Sequence, residues 1–199
     1  MLTGYKVVTG SLIIDKSNNK NLSGLDNLIS IGGNLEIGDY DGGNAALTSL
    51  TGLQNITSVG GYLNISTNAA LTSLTGLENL ASIGGYLNIE YNDNLISLTG
   101  LENITSVDGD LVIFYNKDLK SLSGLENIAS VGGDLWIWNN QALTALGMAD
   151  LQRVDLDLQI SGNTKLCTSM AEQLRDQVQS RSGIGGQIYI GDNKTCTTP

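Results

Sequence analysis

A unit of about 24 residues recurs along this chain with almost no drift, and that repetition constrains the fold more than any other feature. Residues 62–85 read YLNISTNAALTSLTGLENLASIGG, 86–109 read YLNIEYNDNLISLTGLENITSVDG, and 110–133 read DLVIFYNKDLKSLSGLENIASVGG. A further copy begins at Asp134 and degrades near its end, and 157–163 (DLQISGN) begin another. Upstream, 34–61 is the same unit with about four extra residues around Asp39–Asn44, and 11–33 is a divergent first copy. Each unit opens with x-L-x-I, the period-2 pattern of a strand buried on one face. Apolar residues then recur every third position, which suits neither a helix nor a sustained strand. It suits an irregular path around a narrow cross-section that turns one apolar side chain inward at each step. One coil cannot bury its own leucines, whereas stacked coils can. The expected fold is a β-rich solenoid: a right-handed, Leu-rich β-helix with Leu35, Leu63, Leu87, Leu111, Leu135 and Leu158 buried in one long sheet.

Asn68, Asn92, Asn116, Asn140 and Asn163 share one column of this repeat, and Ser49, Ser73, Ser97 and Ser121 share another. A buried amide column is expected to bond backbone groups of adjacent coils, so both columns read as structural. The Asn-x-Ser/Thr triplets at Asn21, Asn55, Asn64, Asn103 and Asn193 mostly fall on repeat positions and read as products of the repeat.

A solenoid must cover its open ends. The chain is expected to form a single solenoid domain over 1–199: an N-terminal cap and divergent first coil at 1–33, repeat coils at 34–163, and a C-terminal cap at 164–199. In that cap, Ser169-x-x-Glu172 reads as a capping box for a helix carrying Met170, Leu174 and Val178 on one face. Gly183, Gly185 and Gly186 should end the helix, and Gln187–Asn193 should add a last rung. Cys167 and Cys196, the only cysteines, bracket the segment. A disulfide between them would stabilise the cap by about 3–4 kcal/mol and imply an oxidising compartment; two free buried thiols are the alternative.

The repeated G-x-L-x-I-x-x-N, the GLxNIxSVGG linker, and a terminal N-x-x-L-C with a later Cys resemble the receptor L domain, the Leu-rich β-helical module of insulin- and EGF-receptor ectodomains. The coils here are more alike than a receptor's usually are, as in microbial relatives. The resemblance spans residues 11–196 and implies an extracellular or cell-surface binding module, although it transfers no ligand. The opening Met1–Lys6 carries no apolar signal core, which leaves either a cytosolic protein or one whose cleaved signal is not part of this sequence.

Composition narrows the function classes. The formal charge of −10 disfavours nucleic acid and anionic membranes as partners, and no apolar run is long enough for a membrane helix. The absence of His removes the commonest general base, and no phosphate-binding loop is present, so no enzymatic activity and no cofactor are expected.

A binding site should lie on the outward positions of the long sheet. These are Asn34/Glu36/Gly38, Tyr62/Asn64/Ser66, Tyr86/Asn88/Glu90, Asp110/Val112/Phe114, Asp134/Trp136/Trp138 and Asp157/Gln159/Ser161. Of ten aromatic residues, eight fall in or beside these strands, and none takes an inward position. Tyr62, Tyr86, Tyr91, Val112, Phe114, Tyr115, Trp136 and Trp138 are therefore the candidate ligand-binding residues, for a protein or carbohydrate. The competing explanation is cross-strand aromatic pairing that serves only the sheet. Asp110, Asp134 and Asp157 share a column and are weak candidates for a calcium site. An alternative function is ice binding by Thr48, Thr51, Thr72, Thr75, Thr99 and Ser123, although Ile96 and Lys120 interrupt the Thr48/Thr72 column. A structural or adhesin module is a third.

Overall fold

The computed structural model describes residues 6–196, so the outermost parts of the two expected caps, 1–5 and 197–199, lie outside it. The chain forms a parallel β-solenoid. Its long sheet has eight strands, from Leu12–Ile14 through Leu63–Ser66, Leu87–Glu90, Leu111–Phe114 and Leu135–Trp138 to Ile188–Gly191. Every pairing is parallel and in register, so Leu63, Leu87, Leu111, Leu135 and Leu158 lie over one another, as do Ile65, Ile89, Ile113, Ile137 and Ile160. Each of these residues is fully buried, as the alternation predicts. Each coil also contributes a two-residue strand, such as Ser82–Ile83 or Ser130–Val131, to a second β face. This face divides into two four-stranded sheets.

Between the two faces the three-residue apolar period does what a helix or sheet cannot. Leu71, Leu74, Leu77 and Leu80 each point inward and are fully buried. Each such side chain contributes about 1.5–3 kcal/mol of burial. The turns between them need glycine at one column. Gly76, Gly100 and Gly124 adopt φ of +116°, +115° and +109°, and a Cβ at Gly76 would stand 2.5 Å from the Leu50 carbonyl oxygen. The carboxylate two residues on accepts the glycine N–H, as Glu78 does for Gly76 at 2.9 Å and Glu126 for Gly124 at 2.7 Å.

The Asn column is a hydrogen-bonded ladder. The Asn92 Nδ2 donates to the carbonyls of Ile65 in the preceding coil and Glu90 in its own, both at 2.9 Å. Its backbone N–H donates to Asn116 Oδ1 at 3.1 Å. The same bonds repeat from Asn68 to Asn163, and Asn44 and Asn193 extend the ladder at its two ends. A second ladder is less evident from the sequence. Asn55, Asn79, Asn103 and Asn127 each donate to a carbonyl of the coil before, which occupies the amides of two of the Asn-x-Ser/Thr triplets.

The C-terminal end differs from expectation in two details. The helix runs Thr168–Gln179 with Cys167 at its N-cap and no side-chain cap bond, so the Ser169/Glu172 capping box does not form. The chain is positioned there by other means: Cys167 bridges to Lys194, and Thr168 N–H donates to the Lys194 carbonyl at 2.9 Å. Nor do the glycines end the helix. Ser180 does, its N–H bonded to the Asp176 carbonyl, while Gly183 starts a short strand paired with Arg153–Val154. Ala171, Leu174 and Val178 are the buried residues of the helix. Cys167 and Cys196 are disulfide-bonded with Cα atoms 5.4 Å apart, as the spacing and the resemblance suggested. The two-free-thiol alternative is excluded. No described helix is long and apolar enough to cross a membrane.

Candidate functional site: the aromatic edge of the long sheet

The strand positions expected to face outward are not all exposed. The first two outward columns are partly or fully exposed. The third is covered at Ser66, Glu90 and Ser161, of which Ser66 and Glu90 have no exposed surface at all. The reason lies one residue further on. Thr67, Tyr91, Tyr115 and Asn139 stand in the left-handed region, at φ between 53° and 57°, and turn the chain sharply around the sheet edge. That conformation is unusual for residues of this size. Above the first of these corners lies the four-residue insertion. Gly38 and Gly43 pack so closely on Ser66 and Thr67 that a Cβ on either would reach within 1.9 Å of a carbonyl oxygen. The insertion therefore lies over the edge and carries Tyr40 with it.

Around that edge the rings form one connected cluster. Tyr91 and Tyr115, on consecutive corners, stack at 5.1 Å with planes 8° apart, and Phe114 and Trp138 stack at 5.1 Å with planes 12° apart. Edge contacts tie the two stacks together: Tyr91 to Phe114 at 5.2 Å, and Phe114 to Tyr115 at 5.4 Å. Tyr40 joins from the insertion with an edge contact to Tyr91 at 6.1 Å. Such pairs are worth about 0.5–1.5 kcal/mol each beyond burial. Trp138 and Phe114 are half-buried, while Tyr91 and Tyr115 remain exposed.

Three of the aromatic residues expected to bind ligand stand apart. Trp136 alternates with Trp138 on its strand and lies between Val112 and Gln159 on the sheet. It is exposed and, among the described residues, makes no ring contact. Tyr62 and Tyr86 form a separate stack at 4.3 Å, anchored by a 2.6 Å bond from the Tyr62 hydroxyl to Glu36. That bond, with burial, holds the Tyr62 phenol well above its ordinary range. Tyr40 was not anticipated from sequence. The only available signal was that it sits in the one insertion of the array.

Two depressions flank Tyr40. One, of about 400 Å³, is lined by Tyr40, Tyr91 and Tyr115, by Thr67 and Ala69, and by the ion pair between Asp93 and Lys117. The other, of about 260 Å³, is lined by Tyr40, Tyr86, Asn88, Asp110, Val112 and Phe114. Below Tyr40 lies Glu90. Its carboxylate is pushed above the ordinary glutamate range by burial, which the nearby Tyr40 hydroxyl and the bond from Asn88 only partly offset. The Tyr40 hydroxyl is raised in turn, first by burial and then by Glu90.

The aspartate column has a different occupation. Asp110 Oδ1 accepts the backbone N–H of Asp134 at 2.8 Å, Asp134 does the same for Asp157, and Asp157 for Gln187. These bonds account for the column without a cation. Among the described residues no group of three or more His, Cys, Asp or Glu gathers closely enough to hold a metal ion. On the Ser/Thr columns the hydroxyls pair within each coil: Ser49 with Thr51 at 2.7 Å, Ser97 with Thr99 at 3.0 Å, and Ser121 with Ser123 at 2.8 Å. Ser73 donates to Thr75 at 3.1 Å, and Thr48 Oγ1 donates to the Lys20 carbonyl. Thr72, also exposed, continues the Thr48 column.

A family model described as the receptor L domain matches residues 29–86 and 81–179. No curated protein and no solved structure matches the chain.

Proposed function

Because this chain belongs to the receptor L domain family, whose members are binding modules, we propose that it is a non-catalytic, extracellular recognition module that takes a protein or glycan at the aromatic edge of its long sheet. One observation carries the reading. Tyr40, Tyr91 and Tyr115 line a depression whose rim also holds a carboxylate and an ammonium, so apolar area and directional polar groups converge on one place. Neighbouring coils place Thr67 and Asn139 at the corner positions of Tyr91 and Tyr115. The corner conformation therefore accepts smaller polar residues, which favours a role in binding over one in the turn for the large rings. The disulfide agrees with an oxidising, extracellular setting.

Arrays of oligosaccharides and of extracellular protein domains should yield binders. Tyr91→Ala combined with Tyr115→Ala should weaken them by about 10-fold or more, the scale of an aromatic hot spot, with a small change in melting temperature. Binding that survives the double variant, or a variant that unfolds, would assign these rings to the scaffold. Trp136→Ala, outside the ring cluster, should cost less than Trp138→Ala. The ice-binding reading draws less support, because the Ser/Thr hydroxyls are bonded to one another and the Thr48 column is broken at Ile96 and Lys120. Thermal hysteresis in purified protein would revive it.

A further inference from the structure

We propose that Asn88 and Glu90 form the floor of a subsite for a primary ammonium group, covered in this structure by the Tyr40 ring. The inference rests on the reading that this edge takes a ligand, and it names the chemistry of the group that would enter.

Asn88 uses both hydrogens of its amide, donating to Asn64 Oδ1 at 2.9 Å and to Glu90 Oε1 at 2.6 Å. Two acceptors are then left buried and without a partner, Asn88 Oδ1 and Glu90 Oε2. Buried acceptors of this kind are rare, because each has lost its water without replacement. Glu90 has no exposed surface, and among the described residues no Lys or Arg pairs with it. A buried carboxylate lacking a cation is costly to the fold. The neighbouring coils do without one, placing Ser66 and Phe114 in the same register.

The group that would complete this set must donate and not accept, and it must be positive. An ammonium has three donors and no acceptor. A guanidinium fits less well, since its paired donors want both carboxylate oxygens and Asn88 already occupies Oε1. The walls agree with a cation. The depression that Asn88 lines is edged by the rings of Tyr40, Tyr86 and Phe114, whose faces attract positive charge, and by the Asp110 carboxylate. Access requires Tyr40 to move. Tyr40 is 67% exposed, sits on the insertion, and lines both depressions, so its displacement would join them over Glu90.

An ammonium could come from a lysine side chain of a protein or from a de-acetylated amino sugar, and two probes separate these sources. One is Nα-acetyl-lysine N-methylamide and the other a glucosamine trimer, with the ε-acetylated and N-acetylated counterparts as neutral controls. Each is titrated into protein carrying ¹³C-labelled glutamate carboxyls while the Glu90 resonance is followed. At least one ammonium probe should shift the resonance and lower the pH at which Glu90 titrates, and its neutral counterpart should bind about 10-fold more weakly or not at all. The isosteric Glu90→Gln should remove most of the affinity, by about 10-fold or more, without lowering the melting temperature. Tyr40→Phe, which keeps the ring and deletes the competing hydroxyl, should bind at least as tightly as the wild type. Equal binding of charged and neutral probes, or a Glu90 resonance indifferent to both ammonium probes, would overturn the proposal. If Tyr91→Ala with Tyr115→Ala abolished array binding while Glu90 stayed indifferent, the edge would remain a binding site and only the ammonium subsite would fall. A responsive Glu90 beside unaffected array binding would do the reverse.

Discussion

Two neighbouring columns run up this solenoid at the edge of the long sheet, and they treat their buried polar groups in opposite ways. In the Asn ladder every coil supplies the same residue. Each amide therefore meets donors and acceptors already fixed by its neighbours, and the ladder members from Asn44 to Asn163 are fully buried at no cost in unpaired groups. In the third outward column the residue changes at each step, from Ser66 to Glu90 to Phe114 to Trp138, and no register can satisfy all of them. The unpaired acceptor Glu90 Oε2 lies there, beside the ring cluster, with the unpaired Asn88 Oδ1 next to it in the second outward column. Repetition satisfies buried polarity; variation leaves it open to something from outside.

The contrast can be broken most severely within the ladder. Asn116→Ala would leave the Asn92 backbone N–H without its partner and remove the Asn116 amide from the carbonyls of Ile89 and Phe114, the second of which keeps the Tyr91 N–H. At about 1–3 kcal/mol for each buried bond lost, urea denaturation should show a loss of about 3–6 kcal/mol.

In the unsatisfied column the sign should reverse. Glu90→Gln keeps the acceptor for Asn88 Nδ2 and offers a donor to Asn88 Oδ1, so stability at neutral pH should rise by about 2 kcal/mol. The wild-type pH dependence follows from burial. The folded pKa of Glu90 lies above its unfolded value, so the folded chain keeps a proton that the unfolded chain has released. That contribution to stability is complete below the unfolded pKa, and it is lost as pH rises through the folded one. Melting temperatures measured upward from the ordinary glutamate range should therefore fall in the wild type, and Glu90→Gln should flatten that slope.

The smallest effect should come from a satisfied but half-exposed ladder. Glu126→Ala removes the acceptor of the Gly124 N–H and lets water replace it, at a cost of about 1 kcal/mol in the same denaturation assay.

The scaffold was legible because its information is local and repeated. Leu63, Ile65, Leu71 and Leu74 each report their own burial through spacing alone, and the next coil repeats the report. The edge was legible only in part. Alternation places Glu90 and Ser66 outward, and their backbone indeed faces that way. Their cover comes from a segment outside the repeat: Tyr40 packs on Tyr91 although about fifty residues of chain separate them. Trp136 and Trp138 look equivalent on the strand, yet only Trp138 lies in the column that the left-handed corners at Tyr91 and Tyr115 bring within ring contact. The capping box is absent for a related reason, since a tertiary partner, Lys194, holds the helix start in place of a local cap.

The Asn ladder also makes the length of this molecule a countable quantity. A bond between Asn68 and Asn92 spans 24 residues, and so does one between Asn92 and Asn116. A 24-residue segment duplicated or deleted between Asn68 and Asn140 would thus rejoin the ladder, because the cut ends present identical donors and acceptors. Growth by whole coils is neutral for the scaffold but not for the edge. Tyr40 reaches Tyr91 and Glu90 only because a fixed number of coils separates the insertion from them. A coil gained after Asn163 would lengthen the rod and leave the aromatic edge as it is. One gained between Asn44 and Asn92 would carry Tyr40 away from Glu90 and uncover the carboxylate.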